Sequence, residues 1–179
     1  MKQIILDTET TGFDHAGFSG PADRICEIGI LELLPSGGTF TRLHAWLNPE
    51  RELSEGAARV NGLSWDRLKS EPRFAEIRLT LIETLTGAEL IIHNADFDLN
   101  FIDAELNRSR LAGVSARAIA GKITCTRELA RRVLPGKKHS LDLLCDHYGI
   151  DRSHRQQHDA ITDCRLLARV YRQLMADAA

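Results

Sequence analysis

Three groups of carboxylates in this sequence stand where they could do chemistry together. Asp7 and Glu9 lie two positions apart at the end of the apolar run Gln3-Ile4-Ile5-Leu6. Side chains alternate faces along a strand, so these two acids point the same way. Like charges so placed repel unless a cation sits between them, and hard divalent ions prefer such oxygen ligands. A strand end turning into a solvated loop is the plainer account of the pair. Thr10-Thr11-Gly12 follows, with hydroxyls, backbone N–H groups and a glycine that lets a phosphate come close. The second group is His93-Asn94-Ala95-Asp96-Phe97-Asp98, directly after the apolar Leu90-Ile91-Ile92. An Asn and acids between a strand and a helix stand where α/β folds gather ligand groups. Asp96 and Asp98 cannot share one face of a helical turn, so only one of them is expected at a site. Asp98 also fits as a structural helix cap. The third group is His158 with Asp163. Five residues of helix turn through about 140° and rise about 7.5 Å, so the two converge only if His158 precedes the helix that carries Asp163. An imidazole in that place could take a proton from a reacting water, an ordinary surface position being the alternative.

Strand ends and helix starts must meet for these groups to act together. Ile25–Leu34 and Phe40–Leu47 are strand candidates on either side of Pro35-Ser36-Gly37-Gly38, which with the first strand suits an antiparallel meander. After Asn48-Pro49 the pattern turns helical. Ser64 could cap a short helix, and Phe74, Ile77, Leu81 and Leu85 recur at helical spacing up to a stop at Gly87. Leu90–Ile92 reads as a buried strand, followed by a helix from about Asp98 to Leu111 and a last strand at Ile123–Cys125. Three helices close the chain: one capped at Thr126, one capped at Ser140 with Leu141, Leu144 and Cys145 inward, and one from about Asp159 to Met175. A meander followed by strands alternating with helices predicts an α/β domain with a mixed sheet covered by helices.

The chain's 179 residues suit one domain spanning 1–179. With 43% hydrophobic and 27% charged residues it reads as globular, which excludes fibrous and disordered classes. No apolar run is long enough to span a membrane, and the N-terminus turns acidic before a signal-peptide core could form. Cys26, Cys125, Cys145 and Cys164 show no CxxC spacing and read as reduced core thiols of a cytoplasmic protein. Charge is unevenly spread. Met1–Asn107 holds 9 Lys and Arg against 18 Asp and Glu, whereas Arg108–Ala179 holds 14 against 7. This asymmetry suits a carboxylate-rich site beside a polyanion-binding surface, although a solvated face would look the same. Arg108, Arg110, Arg127, Arg131, Arg132, Lys137 and Lys138 could track the phosphates of a single strand.

Taken in order, DTETTG, HNADFD and H-x₄-D resemble the three motifs of the DEDDh superfamily of 3′→5′ exonucleases, from Ile4 to about Tyr171. Three further segments are similar to the proofreading epsilon-type family of bacterial DNA polymerase III: Glu27-Ile28-Gly29, Gly87-Ala88-Glu89-Leu90, and Leu134-Pro135-Gly136-Lys137 running on to Ser140-Leu141-Asp142. The resemblance implies a ribonuclease H-like fold, a mixed five-stranded sheet with an antiparallel meander flanked by helices. It implies Asp7, Glu9, Asp98 and Asp163 as ligands of two Mg²⁺ or Mn²⁺ ions, with His158 as general base. Thr10, Gly12, Asn94 and Phe97 fall where the family contacts the terminal nucleotide. Val60-Asn61-Gly62-Leu63 falls where the family reads a Val-His-Gly-Ile-like segment beside the terminal base, and Asn61 is a departure from it. Phe97 suits base stacking and core packing alike, and Asp96 adds a charge where the family is often apolar or small.

The implied activity is metal-dependent release of nucleoside 5′-monophosphates from DNA with a free 3′ end, in proofreading or repair. A DEDDh ribonuclease trimming RNA ends is the alternative enzyme, since no motif here separates a site that accepts a 2′-OH from one that rejects it. A non-catalytic subunit that binds nucleic acid or a polymerase is the alternative of another class. Holding four carboxylates together serves no purpose in a binding module, which argues against it. The resemblance also implies the DNA polymerase III catalytic subunit as a partner, through a tail that this sequence, ending at Gln173-Leu174-Met175-Ala176-Asp177-Ala178-Ala179, does not contain.

Overall fold

The apolar run that opens the chain is buried on both of its faces, which puts it in the middle of a sheet. The computed structural model describes residues 1–13, 23–111 and 113–179. In it β1 (Gln3–Thr10) lies between β2 (Ile25–Leu33) and β4 (Glu89–Ile92), with β3 (Thr39–Trp46) and β5 (Lys122–Cys125) at the edges. The β1–β2 and β2–β3 pairs are antiparallel and the β1–β4 and β4–β5 pairs parallel, so the sheet is five-stranded and mixed with its meander at one side.

Strand alternation divides the core in two. Ile4 and Leu6 pack with α3 (Phe74–Leu85) and α4 (Ala95–Arg108), through Phe74, Leu81, Leu99 and Ile102. Ile5 and Ile91 pack on the other face with α6 (Thr126–Val133), α7 (Leu141–His147) and α8 (Ala160–Asp177), through Leu129, Leu144, Leu167 and Val170. Two short helices are bounded by caps rather than by a periodic pattern of their own, the first of them within the stretch after Asn48-Pro49 that is expected to be helical. These are α1 (Glu55–Asn61), capped by Ser54 and closed by Gly62 at φ 70°, and α5 (Ala116–Ile119), capped by Ser115. The short helix after Ser64 is α2 (Trp65–Leu68), and the Ser64 hydroxyl does accept from the Arg67 N–H.

The boundaries that matter for the site differ from expectation at two helix starts. α4 begins at Ala95 rather than near Asp98, because Asn94 turns the chain in the left-handed region (φ 65°) immediately after β4. Thr126 is the first residue of α6 and not its cap; its buried hydroxyl bonds the His93 ring and reaches the Ile92 carbonyl instead. Leu144 and Cys145 are buried as expected, with Leu141 only partly so. The three parts of the chain that carry the acids then meet at one end of the sheet. β4 stops at Ile92, opposite Leu6, so the stretch from Asp7 to Thr10 runs on past it. Among the described residues no helix is long and apolar enough to cross a membrane.

Candidate active site

The overhanging end of β1 presents two faces to two helices. Asp7 and Glu9 share the face of Ile5, which is the face covered by α8, while Thr8 points toward α4. There the Asp98 carboxylate accepts hydrogen bonds from the Thr8 backbone N–H (3.0 Å) and hydroxyl (2.8 Å), and is only 2% exposed. Asp98 therefore caps the overhanging strand rather than its own helix. Asp96, two positions earlier on α4, points outward and pairs with Arg117 at 2.8 Å. The added negative charge noted in the sequence thus belongs to a surface ion pair outside the site.

Asp163 arrives from the other side. Asp159 caps α8 by accepting from the Thr162 N–H, and Asp163 follows in the first turn, 4% exposed. The helix start is pressed onto the sheet at Gly29, directly opposite Asp7 in the β1–β2 register, and the Cys164 thiol bonds the Gly29 carbonyl at 3.2 Å. His158 lies outside the helix, on the segment leading into it. Its backbone N–H donates to the Val60 carbonyl at 3.0 Å, its side chain is 46% exposed, and its Nδ1 stands 3.3 Å from Asp163 Oδ2. Ligand atoms of Glu9, His158 and Asp163 all fall within 4.8 Å of one another.

Burying Asp7, Glu9 and Asp98 close together disfavours their charged forms. Burial, then the charges of Asp98, Asp163 and Glu9, push the Asp7 carboxyl well above the usual carboxylate range. Glu9 is pushed up to about 8 by burial and then by Asp163, Glu27 and Asp98. Asp98 is raised to about 7 by burial, against the lowering effect of its Thr8 bonds. The cation that opposes these shifts at Asp7 and Glu9 is Arg155. Its guanidinium lies between Asp163, Asp142 and His158, and no sequence pattern singled it out. Ordinary reading places an arginine of the polar run Ser153–Gln157 in solvent; the signal available was that clustered carboxylates need a countercharge nearby.

A cleft of about 530 Å³ opens onto these groups, lined by Asp7, Asp163, His158, Arg155, Asn94 and Phe97 among others. Beside it a recess of about 190 Å³ is walled by Glu9, Thr10, Gly12, Phe13, Val60, Asn61 and Phe97. Phe97 lines both spaces, with its ring 4.9 Å from Phe101 on the core side and 5.6 Å from Phe13 on the open side, so it packs and faces the cleft at once. Exposed apolar surface in the recess comes from Val60 and Phe13. The polar groups there are engaged internally. The Thr10 hydroxyl donates to the Gly12 carbonyl, and a Cβ on Gly12 would meet the Asp23 carboxylate and the Ser54 hydroxyl at 3.0–3.2 Å. Asn61 is buried, with its Oδ1 accepting from the Leu63 N–H (3.0 Å) and its amide donating to the Thr10 carbonyl (3.4 Å). Asn94 is exposed and accepts from Arg127, which also lines the cleft. Arg131 and Arg132 instead line a separate groove beside β5, and Arg108 is drawn to Glu105. His93, lowered to about 4 chiefly by burial, is neutral and ties the end of β4 to Thr126.

The exonuclease family model matches residues 4–171 of this chain. A DNA polymerase III subunit epsilon from Pasteurella multocida is 40% identical over 170 residues, covering 95% of this chain and 66% of that protein. The subunit of the same name from Rickettsia conorii is 39% identical over 175 residues, covering 98% of this chain and 74% of that protein. The chain thus spans about two thirds to three quarters of the length of these curated relatives. Among solved structures, an exonuclease X in complex with 5′-overhanging duplex DNA superposes with a TM-score of 0.68 at 23% identity, covering 97% of this chain and 91% of that one, a likeness of fold.

Proposed function

This chain belongs to the exonuclease family, and we propose that it is a metal-dependent 3′→5′ exonuclease that removes nucleoside 5′-monophosphates from the 3′ end of DNA, as the nuclease domain of an epsilon-type proofreading subunit. The observation that carries this reading is the gathering of Asp7, Glu9, Asp98 and Asp163 with His158 at one end of the sheet, where Asp7, Asp163 and His158 line the cleft and Glu9 the recess beside it. Three of these acids are held above the normal carboxylate range, as expected of groups whose full complement of positive charge comes from outside the chain. The donor set is all oxygen apart from one imidazole, which suits two Mg²⁺ or Mn²⁺ ions on Asp7, Glu9, Asp98 and Asp163. When bound, such ions activate a water and stabilise the leaving oxygen of an in-line displacement.

The chain's own residues supply the rest. His158 stands exposed at the rim, on a backbone bond to Val60, where its ring can take the proton of an attacking water. Val60, Phe13 and Phe97 offer an apolar wall for the terminal base. Thr10 and Gly12 shape the floor beside Glu9, and Asn61 acts by holding that floor to α1. Asn94 and Arg127 present polar and positive groups on the side where the phosphate backbone would pass.

The domain is taken as 1–179, and its place of work as the cytoplasm. The name carried by the relatives makes the DNA polymerase III catalytic subunit the partner to test by co-purification. The deciding experiment incubates the protein with 5′-labelled single-stranded DNA and RNA of one sequence, in Mg²⁺, in Mn²⁺ and in EDTA. An EDTA-sensitive ladder shortening from the 3′ end, faster on DNA than RNA, is expected. A faster RNA ladder would transfer the assignment to RNA-end trimming, and intact substrates in every condition would leave a binding subunit.

A further inference from the structure

Arg155 is a buried cation among the acids proposed to hold metal ions, and every nitrogen of its guanidinium is engaged. The side chain is 5% exposed; Nε lies 2.5 Å from Asp163 Oδ1, Nη2 donates to Asp163 Oδ2 at 2.6 Å and to His158 Nδ1 at 2.7 Å, and Nη1 donates to Asp142 Oδ1 at 2.5 Å. The Nε–Oδ1 approach lacks hydrogen-bond alignment and is a direct charge contact.

Two consequences follow from what these groups can donate and accept. A guanidinium has donors alone, so His158 Nδ1 must be the acceptor, and the ring carries its proton on Nε2. A ring so arranged has one nitrogen occupied and the other protonated, leaving no free lone pair for a proton from water. Both oxygens of Asp163 also face Arg155, so this carboxylate can serve another cation only after the guanidinium has withdrawn from it. A place to withdraw to exists. Asp142, at the start of α7 and 40% exposed, already holds Nη1 on the cleft side.

We propose that Arg155 is a resident countercharge that locks Asp163 and His158 together, and that a divalent cation taking Asp163 turns it toward Asp142 and thereby frees the general base. The inference rests on the metal-dependent reading above, and it links general-base competence to metal occupancy through one side chain. Arg155 is on this account a positioning residue: it acts through Asp163 and His158.

Mn²⁺ binding to the DNA-free protein, followed by calorimetry, tests this with no turnover involved. Arg155→Gln removes the internal competitor and should tighten Mn²⁺ binding by about five- to ten-fold. Asp142→Asn removes the alternative partner, holds Arg155 on Asp163, and should weaken binding several-fold. The double variant should match Arg155→Gln, because the effect of Asp142 passes through the arginine. A general loss of structure would weaken binding in both single variants, so opposite signs identify the lock. Ring-nitrogen NMR of the wild-type protein, with His158 assigned through His158→Gln, gives an independent reading that needs no Arg155 variant. Metal-free, Nδ1 should show acceptor character and Nε2 its proton; Mg²⁺ should abolish that pattern. Mn²⁺ affinity unchanged or weakened in Arg155→Gln, or a His158 pattern indifferent to Mg²⁺, would overturn the lock while leaving the metal site standing. Folded wild-type protein that binds no Mn²⁺ would remove both readings together.

Discussion

Adding one methyl group to Gly29 should separate the two halves of the site. Gly29 lies in β2 opposite Asp7, and its φ is not positive, so the need for glycine there is one of space. A Cβ would sit 2.7 Å from the Ala160 carbonyl carbon and oxygen and 2.8 Å from the Ile161 nitrogen, where ordinary contact begins at 3.4 Å. These are backbone atoms at the start of α8 and cannot rotate away, so the helix start must retreat by about 0.7 Å, the difference between those two distances. Asp163 rides on that turn and His158 precedes it by two residues, whereas Asp7 and Glu9 stay on β1. A misplacement of about 1 Å in a catalytic constellation costs about 10²-fold in rate, and overpacking costs about 1–3 kcal/mol in stability. Gly29→Ala should therefore lose about 10- to 100-fold in single-turnover cleavage of a labelled DNA strand, with a stability loss of about 1–3 kcal/mol in urea. Gly37→Ala is the control. That glycine has φ 86° and nothing within 4 Å of its Cβ, so alanine there should cost about 1 kcal/mol in backbone strain with turnover intact. Wild-type turnover in Gly29→Ala would refute the argument that the contact of α8 with β2 sets the spacing of the acids. Equal activity losses in the two variants would refute it as well, by showing that stability alone governs the rate.

Two further outcomes follow from the same geometry. Asp7→Ala should abolish both Mn²⁺ binding and turnover, whereas His158→Ala should slow turnover by about 10²- to 10⁴-fold with Mn²⁺ affinity nearly kept; calorimetry beside the cleavage assay checks this, and parallel losses of affinity would contradict the division of roles. The metal-free protein should also lose stability as pH rises. Glu9 and Asp98 release their protons near 8 and 7 in the fold but near 4.5 and 3.8 in the unfolded chain, so between about 4 and 8 the unfolded state gives up protons the native state retains. The penalty is absent below that window and complete above it, and Mg²⁺ should raise the melting temperature more at pH 8 than at pH 5.5. Thermal unfolding in EDTA that is flat or improves over this range would show that the acids are already neutralised.

What could be read from the chain, and what could not, follows from the range of the forces involved. Asp7 and Glu9 were legible as a pair because strand period alone sets their common face, and the five-residue gap to Asp163 was enough to place His158 outside the helix. That only one of Asp96 and Asp98 would matter was legible too, from the helical turn. The start of α4 was not, because it hangs on Asn94 adopting a left-handed conformation that no neighbouring residue signals. The resemblance put Asn61 beside the terminal base; in the fold it lines the recess with its amide held by Thr10 and Leu63, a pairing that no local sequence pattern shows, and Val60 is the exposed side chain next to it. Arg155 was the largest omission, since its partners come from α7 and α8 and share no local pattern with it. A physical demand nonetheless pointed that way. Four carboxylates gathered at a sheet end need positive charge close by even before any ion arrives, and the polar run leading to His158 offers Arg152 and Arg155. Arg152 bonds Asp146 at the surface, while Arg155 reaches inward to Asp163. Asking which side chain balances an acidic cluster in its own fold brings the segment before His158 into view, and burial separates its two arginines.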